Sequence, residues 1–212
     1  AAVMNSLQPD HQFRTQIYTD GEQVGSVLNG NIYLKGGGDP AFVSEKMWML
    51  VNDFTRTGIK KVTGQIITDD TYFDDERVDP GRESERNDRA YDAPIGALSF
   101  NWNSTTIYVR PGRAIGEKAK VWIDPENDYI TLQNQVVTSK TGTDLQANRA
   151  TANEKDIITV KGKIPLKSPE KHIYKNISNP GLYAGHGFRQ FLKQRGIEVE
   201  GSVTAGKVPS NA

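Results

Sequence analysis

Residues 36–70 read GGGDPAFVSEKMWMLVNDFTRTGIKKVTGQIITDD, and this stretch determines the expected fold. Asp39 can cap a helix because its carboxylate accepts from the free N–H groups of the first turn, and Pro40 suits the first helical position. The apolar residues that follow fall three and four apart, which is typical of a helix with one buried face. Gly58 can adopt the left-handed conformation that ends such a helix. A β-prone run, 62–67, comes next, so we expect a helix packed on a sheet.

The same order of signals returns near the carboxyl end of the chain. Asn179 and Pro180 precede a second segment with apolar residues at helical spacing, Gly196 follows it, and 198–203 are β-prone. We interpret this as an internal pseudo-repeat of 39–67. The alternative is that cap, proline, helix, glycine and strand are a common order in proteins and indicate no repeat.

Between these two units, the residues from 99 to 170 are rich in short β-prone runs. These runs are 119–123, 129–132, 135–138 and 157–160. A polar segment, 139–156, is expected to be a connection between them. Short strands at this spacing are typical of a small β domain. The predicted fold class is α+β: a helix-on-sheet domain made from two chain segments, 13–98 and 171–208, with a small, mostly β domain of 99–170 inserted between them.

Turn signals and one long polar segment divide the first half further. Asp20-Gly21 and Asn29-Gly30 are the signals expected of hairpin turns. Residues 74–88 are rich in acids, arginines and turn formers, and we expect an exposed polar loop there. Because it is longer than a simple connection needs, this loop is a candidate for contacts with other molecules.

Composition excludes several classes of protein. Lys plus Arg and Asp plus Glu both number 26, so the net charge is zero, which argues against non-specific binding to nucleic acid or to an anionic membrane. The chain has no cysteine, so disulfides, thiolate metal sites and a cysteine nucleophile are excluded. No apolar run approaches the roughly 20 residues that span a bilayer. Residues 1–12 lack the pattern of a signal peptide and read as the tail of a helix, which suggests a fragment.

A series of short motifs gives the chain a resemblance to a known family. In order, they are LQPDHQFRT at 7–15, GNIYLKGGGDP at 30–40, GQIITDD at 64–70, YDAP at 91–94, ALSFNWN at 97–103, GKIP at 162–165 and GKVP at 206–209. Together they resemble the D-alanyl-D-alanine carboxypeptidase/endopeptidase family, the class C low-molecular-mass penicillin-binding proteins. The resemblance covers nearly the whole chain.

The resemblance implies an accessory position for this chain. In that family a serine peptidase domain is interrupted, between its first and second active-site motifs, by two extra domains. The first motif, Ser-x-x-Lys, supplies the acylated serine and a lysine; Ser-x-Asn and Lys-Thr-Gly complete the site. This chain is similar to the interruption, with 1–12 corresponding to the catalytic-domain helix that follows the first motif. The resemblance also implies a periplasmic or extracytoplasmic location and a role in peptidoglycan maturation or remodelling.

All three catalytic patterns nevertheless occur in the sequence. Ser168 and Lys171 fit Ser-x-x-Lys, Ser99 and Asn101 fit Ser-x-Asn, and 140–142 fit Lys-Thr-Gly. Pro169 favours a turn where the first pattern needs a helix start, and the order along the chain differs from the family's. Three-residue patterns are also expected by chance at this length. We therefore assign no catalytic residue.

Other candidate residues carry weak signals only. They are the histidines His11, His172 and His186, the acids Asp69, Asp70, Asp74 and Asp75, a second acidic group of Asp124, Glu126 and Asp128, and the tryptophans Trp48, Trp102 and Trp122. The histidines lack metal-ligand spacing, and the acids lack the glycine and distal Glu of a calcium loop. We expect solvated acids, a packing role for Trp48, an outward-facing Trp102 and a surface or packing role for His186. No cofactor-binding or metal-binding residue is assigned.

The sequence therefore predicts the accessory, non-catalytic domains of a serine-type D-Ala-D-Ala carboxypeptidase/endopeptidase. The expected partners are the remainder of the peptidase domain and peptidoglycan or wall-associated proteins; nucleic acid is not expected. One alternative is a free-standing periplasmic module that binds the cell wall or a protein. A third hypothesis is a small hydrolase that uses Ser168, Lys171 and Lys140 in a rearranged order.

Overall fold

The computed structural model describes residues 10–81 and 87–210, and it is a mixed α and β structure. The first helix, α1, spans Ser44–Thr55 and the second, α2, spans Pro180–Gln194. The strands are β1 Gln16–Thr19, β2 Glu22–Val24, β3 Val27–Asn29, β4 Ile32–Lys35, β5 Lys61–Val62, β6 Ile66–Asp69, β7 Ser104–Arg110, β8 Lys120–Asp124, β9 Ile130–Ser139, β10 Asp144–Ala152, β11 Lys155–Pro165, β12 Lys171–Asn176, β13 Glu198–Val199 and β14 Val203–Ala205. Short 3₁₀ turns lie at Ala90–Asp92 and Asn101–Asn103.

Eight of these strands form two four-stranded sheets whose strands continue from one sheet into the other. One sheet has the order β1-β4-β6-β14 and the other the order β13-β5-β3-β2. The chain passes directly from β3 to β4, from β5 to β6 and from β13 to β14, so each pair is a strand with a bend in it. β13 and β14 run parallel to β5 and β6, which joins the carboxyl end of the chain to its first third.

Glycines lie where these strands bend. The N–H of Gly64 donates to the carbonyl oxygen of Gly30, and the N–H of Gly201 donates to that of Gly64, each at 2.9 Å. A Cβ on Gly64 or Gly201 would overlap the backbone of the next strand. The bend therefore requires residues without side chains at these positions. Asp20-Gly21, predicted to be a hairpin turn, instead lies at the bend between β1 and β2, because β1 pairs with β4 and β2 with β3.

Helix α2 is buried along most of its length. Eleven of its residues are buried, and Gly185 lies so close to β6 and β14 that a Cβ there would be 2.5 Å from the Thr68 side chain. On another side of the helix, a Cβ on Gly187 would be 2.8 Å from the ring of Phe100. The small residues of α2 therefore let it pack between the sheet and Phe100. Helix α1 packs beside it through Met47, Val51 and Phe54.

The helix boundaries correct one prediction and confirm another. Helix α2 begins as expected, with the Asn179 side chain accepting from the N–H of Leu182 at 3.1 Å and proline in the first turn. Helix α1 begins at Ser44 rather than next to Asp39. Asp39 instead accepts from the N–H of Ala41 and from Lys46, and so it holds the turn that precedes the helix. Both helices are followed by the predicted glycines at positive φ.

The middle of the chain forms two three-stranded sheets. In one, β7 pairs with both β8 and β12 in antiparallel fashion; in the other, β11 lies between parallel β9 and antiparallel β10. Alternate residues of β7 are buried, as expected of a strand with one core-facing side. The predicted polar connection 139–156 was wrong in part, because it contains β10. That strand lies at a sheet edge with Ala147 as its only buried residue, which explains its polar sequence.

Candidate functional site

The Ser-x-x-Lys pattern lies in the connection between β11 and β12, as the proline predicted. The N–H of Ser168 donates to the carbonyl oxygen of Pro165 at 2.9 Å, and its Oγ donates to that of Pro169 at 2.9 Å. A nucleophilic serine needs a base that can take its proton, and a backbone carbonyl cannot do so. Lys171 is the first residue of β12, so serine and lysine do not share a helix face.

The Lys-Thr-Gly pattern, 140–142, connects β9 to β10. Gly142 has a φ of 76°, and its carbonyl oxygen accepts from Ser139 Oγ at 3.4 Å. The structure brings this turn near the loop of Ser168, because the N–H of Leu166 donates to the carbonyl oxygen of Ser139 at 3.0 Å. The two patterns thus lie at the same end of one sheet. However, the Ser168 hydroxyl donates its hydrogen bond within its own loop, to Pro169.

The Ser-x-Asn pattern has a structural role at the start of α1. Ser99 Oγ donates to the carbonyl oxygen of Gly96 at 2.8 Å, and Phe100 between the two polar residues is fully buried. Asn101 Oδ1 accepts from the N–H of Ser44 at 2.9 Å, and its Nδ2 donates to Ser44 Oγ at 3.0 Å. These contacts satisfy a donor that the helix leaves free at its first residue.

Asn101, Trp102 and Asn103 form a left-handed turn. Their φ values are 47°, 55° and 51°, a region that residues other than glycine rarely adopt. Asn103 holds the turn, because its Nδ2 donates to the carbonyl oxygen of Pro94 at 2.8 Å and its Oδ1 accepts from the N–H of Phe100 at 3.2 Å. Such strain costs on the order of 1–3 kcal/mol per residue and is frequent at functional sites.

The turn presents Trp102 to solvent beside a cavity. Trp102 is 69% exposed, which confirms that it faces outward, although it lies on a turn rather than a strand. The adjoining cavity has a volume of about 510 Å³ and is also lined by Glu45, Asp124 and the half-exposed Tyr174. Flat aromatic faces next to carboxylates suit ligands with both apolar and hydroxyl-bearing faces.

The other tryptophans differ in their surroundings. Trp48 is 51% exposed, so the prediction that it packs against the core was wrong. Trp122 is stacked on Tyr108, with ring centroids 5.4 Å apart and planes 12° apart, and the Arg110 guanidinium lies 5.3 Å from the centre of its ring. Trp122 therefore acts mainly in packing between β7 and β8.

The first acidic group is not uniformly solvated, which corrects the sequence prediction for two of its four members. The Asp69 side chain is fully buried and accepts from the N–H of Val208 at 2.8 Å and from the N–H and hydroxyl of Thr71. Burial alone would raise the pKa of Asp69, but these hydrogen bonds outweigh it and lower the pKa. Asp70 accepts from the N–H of Leu98 and pairs with Arg77. Both acids therefore stabilise the fold.

The polar loop, 74–88, is attached to the rest of the structure on both sides of its undescribed residues, 82–86. Arg77 pairs with Asp70, and Asp88 accepts from Lys175 Nζ at 2.6 Å and from the N–H of Arg149 at 2.9 Å. Although burial opposes it, the hydrogen bond from Lys175 lowers the pKa of Asp88, followed by that from Arg149. The predicted helix tail at 1–12 lies outside the described residues as far as position 9.

Two of the three histidines lie at the surface. His11 is exposed and has its ring 5.1 Å from that of Phe13, with the planes perpendicular. The Nε2 of His172 lies 2.9 Å from Glu170 Oε1, and the edge of the ring faces Tyr108. Neither arrangement provides a cavity for a substrate.

His186 is different, because it is buried and lines a large cavity. It is 7% exposed, its ring lies 5.9 Å from that of Tyr129, and its Nδ1 is buried without a hydrogen-bond partner. The cavity has a volume of about 620 Å³ and is also lined by Arg189, Lys155, Glu126 and Asp128. Burial, followed by the charges of Lys155 and Arg189, lowers the pKa of His186 to about 4.

The structure thus brings together candidates that the sequence left apart. Glu126 and Asp128 belonged to a weak acidic group, and His186 was expected at the surface or in packing. Arg189 and Lys155 carried no signal at all, since they lie on α2 and at the start of β11, far from the acids in sequence. Only the packing of α2 against the middle strands places these five side chains around one cavity.

In residues 10–81 and 87–210, no group of three or more histidines and carboxylates is placed to hold a metal ion. No helix in the same ranges is long and apolar enough to cross a membrane.

Comparison with known proteins decides the family. The profile of the D-Ala-D-Ala carboxypeptidase 3 (S13) family matches residues 1–212. The chain belongs to that family. A D-alanyl-D-alanine carboxypeptidase of an Actinomadura species is 30% identical over 219 residues, which include 100% of this chain and 40% of the relative. The carboxypeptidase DacB of Haemophilus influenzae is 24% identical over 98% of this chain and 43% of its own length.

The fold agrees with that of a solved relative. The crystal structure of penicillin-binding protein 4 from Haemophilus influenzae matches with a TM-score of 0.76 and 20% identity, over 99% of this chain and 46% of the other. At that identity the likeness concerns the fold alone. The chain spans less than half the length of each of these relatives. The family prediction made from the sequence motifs is confirmed.

Proposed function

We propose that this chain is the accessory, non-catalytic part of a serine-type D-Ala-D-Ala carboxypeptidase that acts on peptidoglycan outside the cytoplasm. The observation that carries the proposal is the bond from Ser168 Oγ to the carbonyl oxygen of Pro169. Ser168 lies in a loop and Lys171 begins β12, so the two side chains do not share a helix face. Asn101 of the second pattern caps α1. Family membership supports a peptidase as the parent protein, and the short coverage of the relatives supports a part of it.

The proposal includes a division into domains. The bent sheet, α1 and α2 form a helix-on-sheet domain from 13–98 and 171–208, and 99–170 form a β-rich domain inserted in it. The pairing of β13 with β5 and of β14 with β6 supports the first, since it joins the two segments directly. The two three-stranded sheets support the second. Residues 1–12 are assigned to the catalytic domain.

Acylation by a fluorescent penicillin tests the chemistry. We expect no stoichiometric labelling of the 212-residue chain, because Ser168 Oγ and Ser99 Oγ each donate to a backbone carbonyl oxygen, which cannot act as a base. Ser168→Ala and Ser99→Ala serve as matched variants, and heat-denatured protein measures non-specific acylation. Labelling near one equivalent that Ser168→Ala abolishes would establish the rearranged hydrolase instead. The gene on either side gives a second test, since the proposal requires Ser-x-x-Lys upstream and the other two motifs downstream.

A wall-binding module is the second candidate function, and the exposed Trp102 is the observation that favours it. Its strained turn beside Tyr174 and two carboxylates provides an aromatic surface suited to a sugar ring. Co-sedimentation with purified insoluble peptidoglycan tests this function. We expect Trp102→Ala to reduce the bound fraction several-fold, while Trp48→Ala, which removes a tryptophan of similar exposure, leaves it unchanged. Equal retention of both variants would exclude Trp102 as the contact.

A further inference from the structure

The floor of the cavity at His186, as we use the term, consists of His186 and Arg189, each of which carries a buried nitrogen atom without a hydrogen-bond partner. His186 Nδ1 and Arg189 Nε are both buried without a hydrogen-bond partner, and both residues line the cavity of about 620 Å³. Buried polar groups are nearly always paired, because an unpaired donor or acceptor loses its bonds to water. Two unpaired nitrogens on residues that line one cavity therefore point to a ligand that supplies oxygen atoms once the two side chains turn toward it.

Arg189 is held in position for such a ligand. Another nitrogen of its guanidinium, Nη2, donates to the carbonyl oxygen of Gly201 at the bend before β14. This bond orients the planar group and leaves Nε free. A guanidinium is well suited to a carboxylate, since its N–H groups match the two oxygen atoms in geometry and charge.

The rim of the cavity carries the opposite charge. Glu126 and Asp128 are exposed at its edge, and Asp128 is near enough to His186 and Arg189 to act on the pKa of both. Among the described residues, no ion pair within 4.0 Å joins Asp128 to Arg189 or to the half-buried Lys155. A ligand bound to the floor by an anionic group would therefore place a cationic group beside free carboxylates.

We propose that this cavity binds a small zwitterion, an amino acid or the end of a short peptide, with its carboxylate at Arg189 and His186 and its ammonium group at Asp128. The apolar side chains of Val121, Ile123 and Ile130 line the same cavity and accept an aliphatic portion between the two charges. The proposal concerns the isolated chain and does not depend on the proposed function.

NMR titration of the whole 212-residue chain tests the proposal. The probes are L-alanyl-L-alanine and D-alanyl-D-alanine, with the N-acetylated and C-amidated forms of each and with inorganic phosphate. We expect the imidazole signals of His186 to shift with a free dipeptide, with a Kd of about 1 mM, the affinity of a few polar contacts. The two configurations distinguish the source of the ligand, and binding of either supports the proposal.

Two variants test separately the contacts of the ligand's carboxylate and of its ammonium group. Arg189→Gln is expected to weaken the dipeptide about tenfold, as for a lost charge-assisted bond, while Arg195→Gln, an exposed arginine beyond the same helix, leaves it unchanged. Asp128→Asn is expected to weaken the dipeptide but not its N-acetylated form, and Asp144→Asn is the exposed control. Circular dichroism shows whether each variant is folded, and Asp128→Asn gives the test alone where Arg189→Gln unfolds.

Three results would overturn the proposal. One is the absence of any shift at His186 with both dipeptides at about 20 mM, well above the expected Kd. A second is equal affinity for the dipeptide, its blocked forms and phosphate, which would mean a simple anion site. The third is unchanged binding in folded Arg189→Gln and Asp128→Asn.

Discussion

The backbone N–H of Ser44, the first residue of α1, donates to Oδ1 of Asn101 at 2.9 Å, across 57 positions of sequence. The residue before the helix, Val43, has no side chain that could accept this bond. Asn101 thus supplies the cap from a distant turn, and the turn must keep its left-handed backbone to reach the helix. A pattern that resembles a catalytic motif is used here to fix the start of a helix.

Replacement of Asn101 measures how much this cap contributes to the free energy of unfolding. We expect Asn101→Ala to lower the free energy of unfolding by about 2 kcal/mol, from the lost bond and from a positive φ that alanine tolerates poorly. Asn101→Asp keeps an acceptor and tolerates the backbone, so its loss should stay below about 0.5 kcal/mol. Urea unfolding at neutral pH gives both values. Equal stability of Asn101→Ala and the parent chain would mean that the bond has no net effect.

The bend in the sheet gives a second prediction. A Cβ on Gly64 would overlap the carbonyl oxygen of Gly30 on the neighbouring strand, and backbone atoms there cannot move without breaking the pairing. We expect Gly64→Ala to cost about 3 kcal/mol or more, or to prevent folding. Gly58→Ala is the control, since Gly58 has open space around it, although unlike Gly64 it lies at positive φ. The cost of Gly58→Ala should be about 1 kcal/mol, from the backbone alone. Similar costs for the two variants would show that the bend can relax.

The sequence predicted those features that depend on neighbouring residues. Asn179 and Pro180 give the start of α2, and Gly58 and Gly196 follow the helix ends, because a cap acts on the next few residues. The cap of α1 could not be predicted, since Asn101 reaches Ser44 only in the folded chain. The edge strand β10 was missed because one buried residue leaves almost no alternation to detect.

The candidate site at the His186 cavity also could not be predicted from neighbouring residues in the sequence. The acids that line it were noticed only as a weak group, and Arg189 and Lys155 have no local pattern that marks them. Their common position follows from how α2 packs against the middle strands. The burial of Asp69 was missed for a related reason, since its partner Val208 comes from the far end of the chain.

Asp69 makes the chain sensitive to acid. Its pKa is lowered in the folded state, so the carboxylate contributes its stability fully above the unfolded value, about 4, and loses it as the pH falls through the folded value. We expect Asp69→Asn to reduce the free energy of unfolding at pH 7 by about 2 kcal/mol, since a buried N–H loses its acceptor. The deficit should shrink below pH 4, where the parent chain also loses the charge. Urea unfolding from pH 7 to pH 3 measures it, with the exposed Asp75→Asn as control; a deficit independent of pH would contradict the assignment.

His186 is expected to make the free energy of unfolding depend on pH in a higher pH range than Asp69 does. Its pKa is about 4 in the folded chain and about 6.5 when unfolded, so the unfolded state takes up a proton first as the pH falls. The groups that face it are Lys155, Arg189 and Asp128, of which the two cations add to the effect of burial and the acid opposes it. Stability should therefore be fully present above pH 6.5 and fall by about 2 kcal/mol between pH 7 and pH 5.

The variant His186→Gln removes this proton uptake and should flatten the pH dependence between pH 7 and pH 5, whatever its effect on absolute stability. His11→Gln is the matched control, because it makes the same exchange at an exposed histidine outside the cavity. Urea unfolding at intervals of half a pH unit measures the slopes, and an NMR titration of the His186 ring gives its pKa directly. A ring that titrates near 6.5 in the folded chain, or equal slopes for the parent chain and His186→Gln, would show that the cavity does not exclude the protonated form.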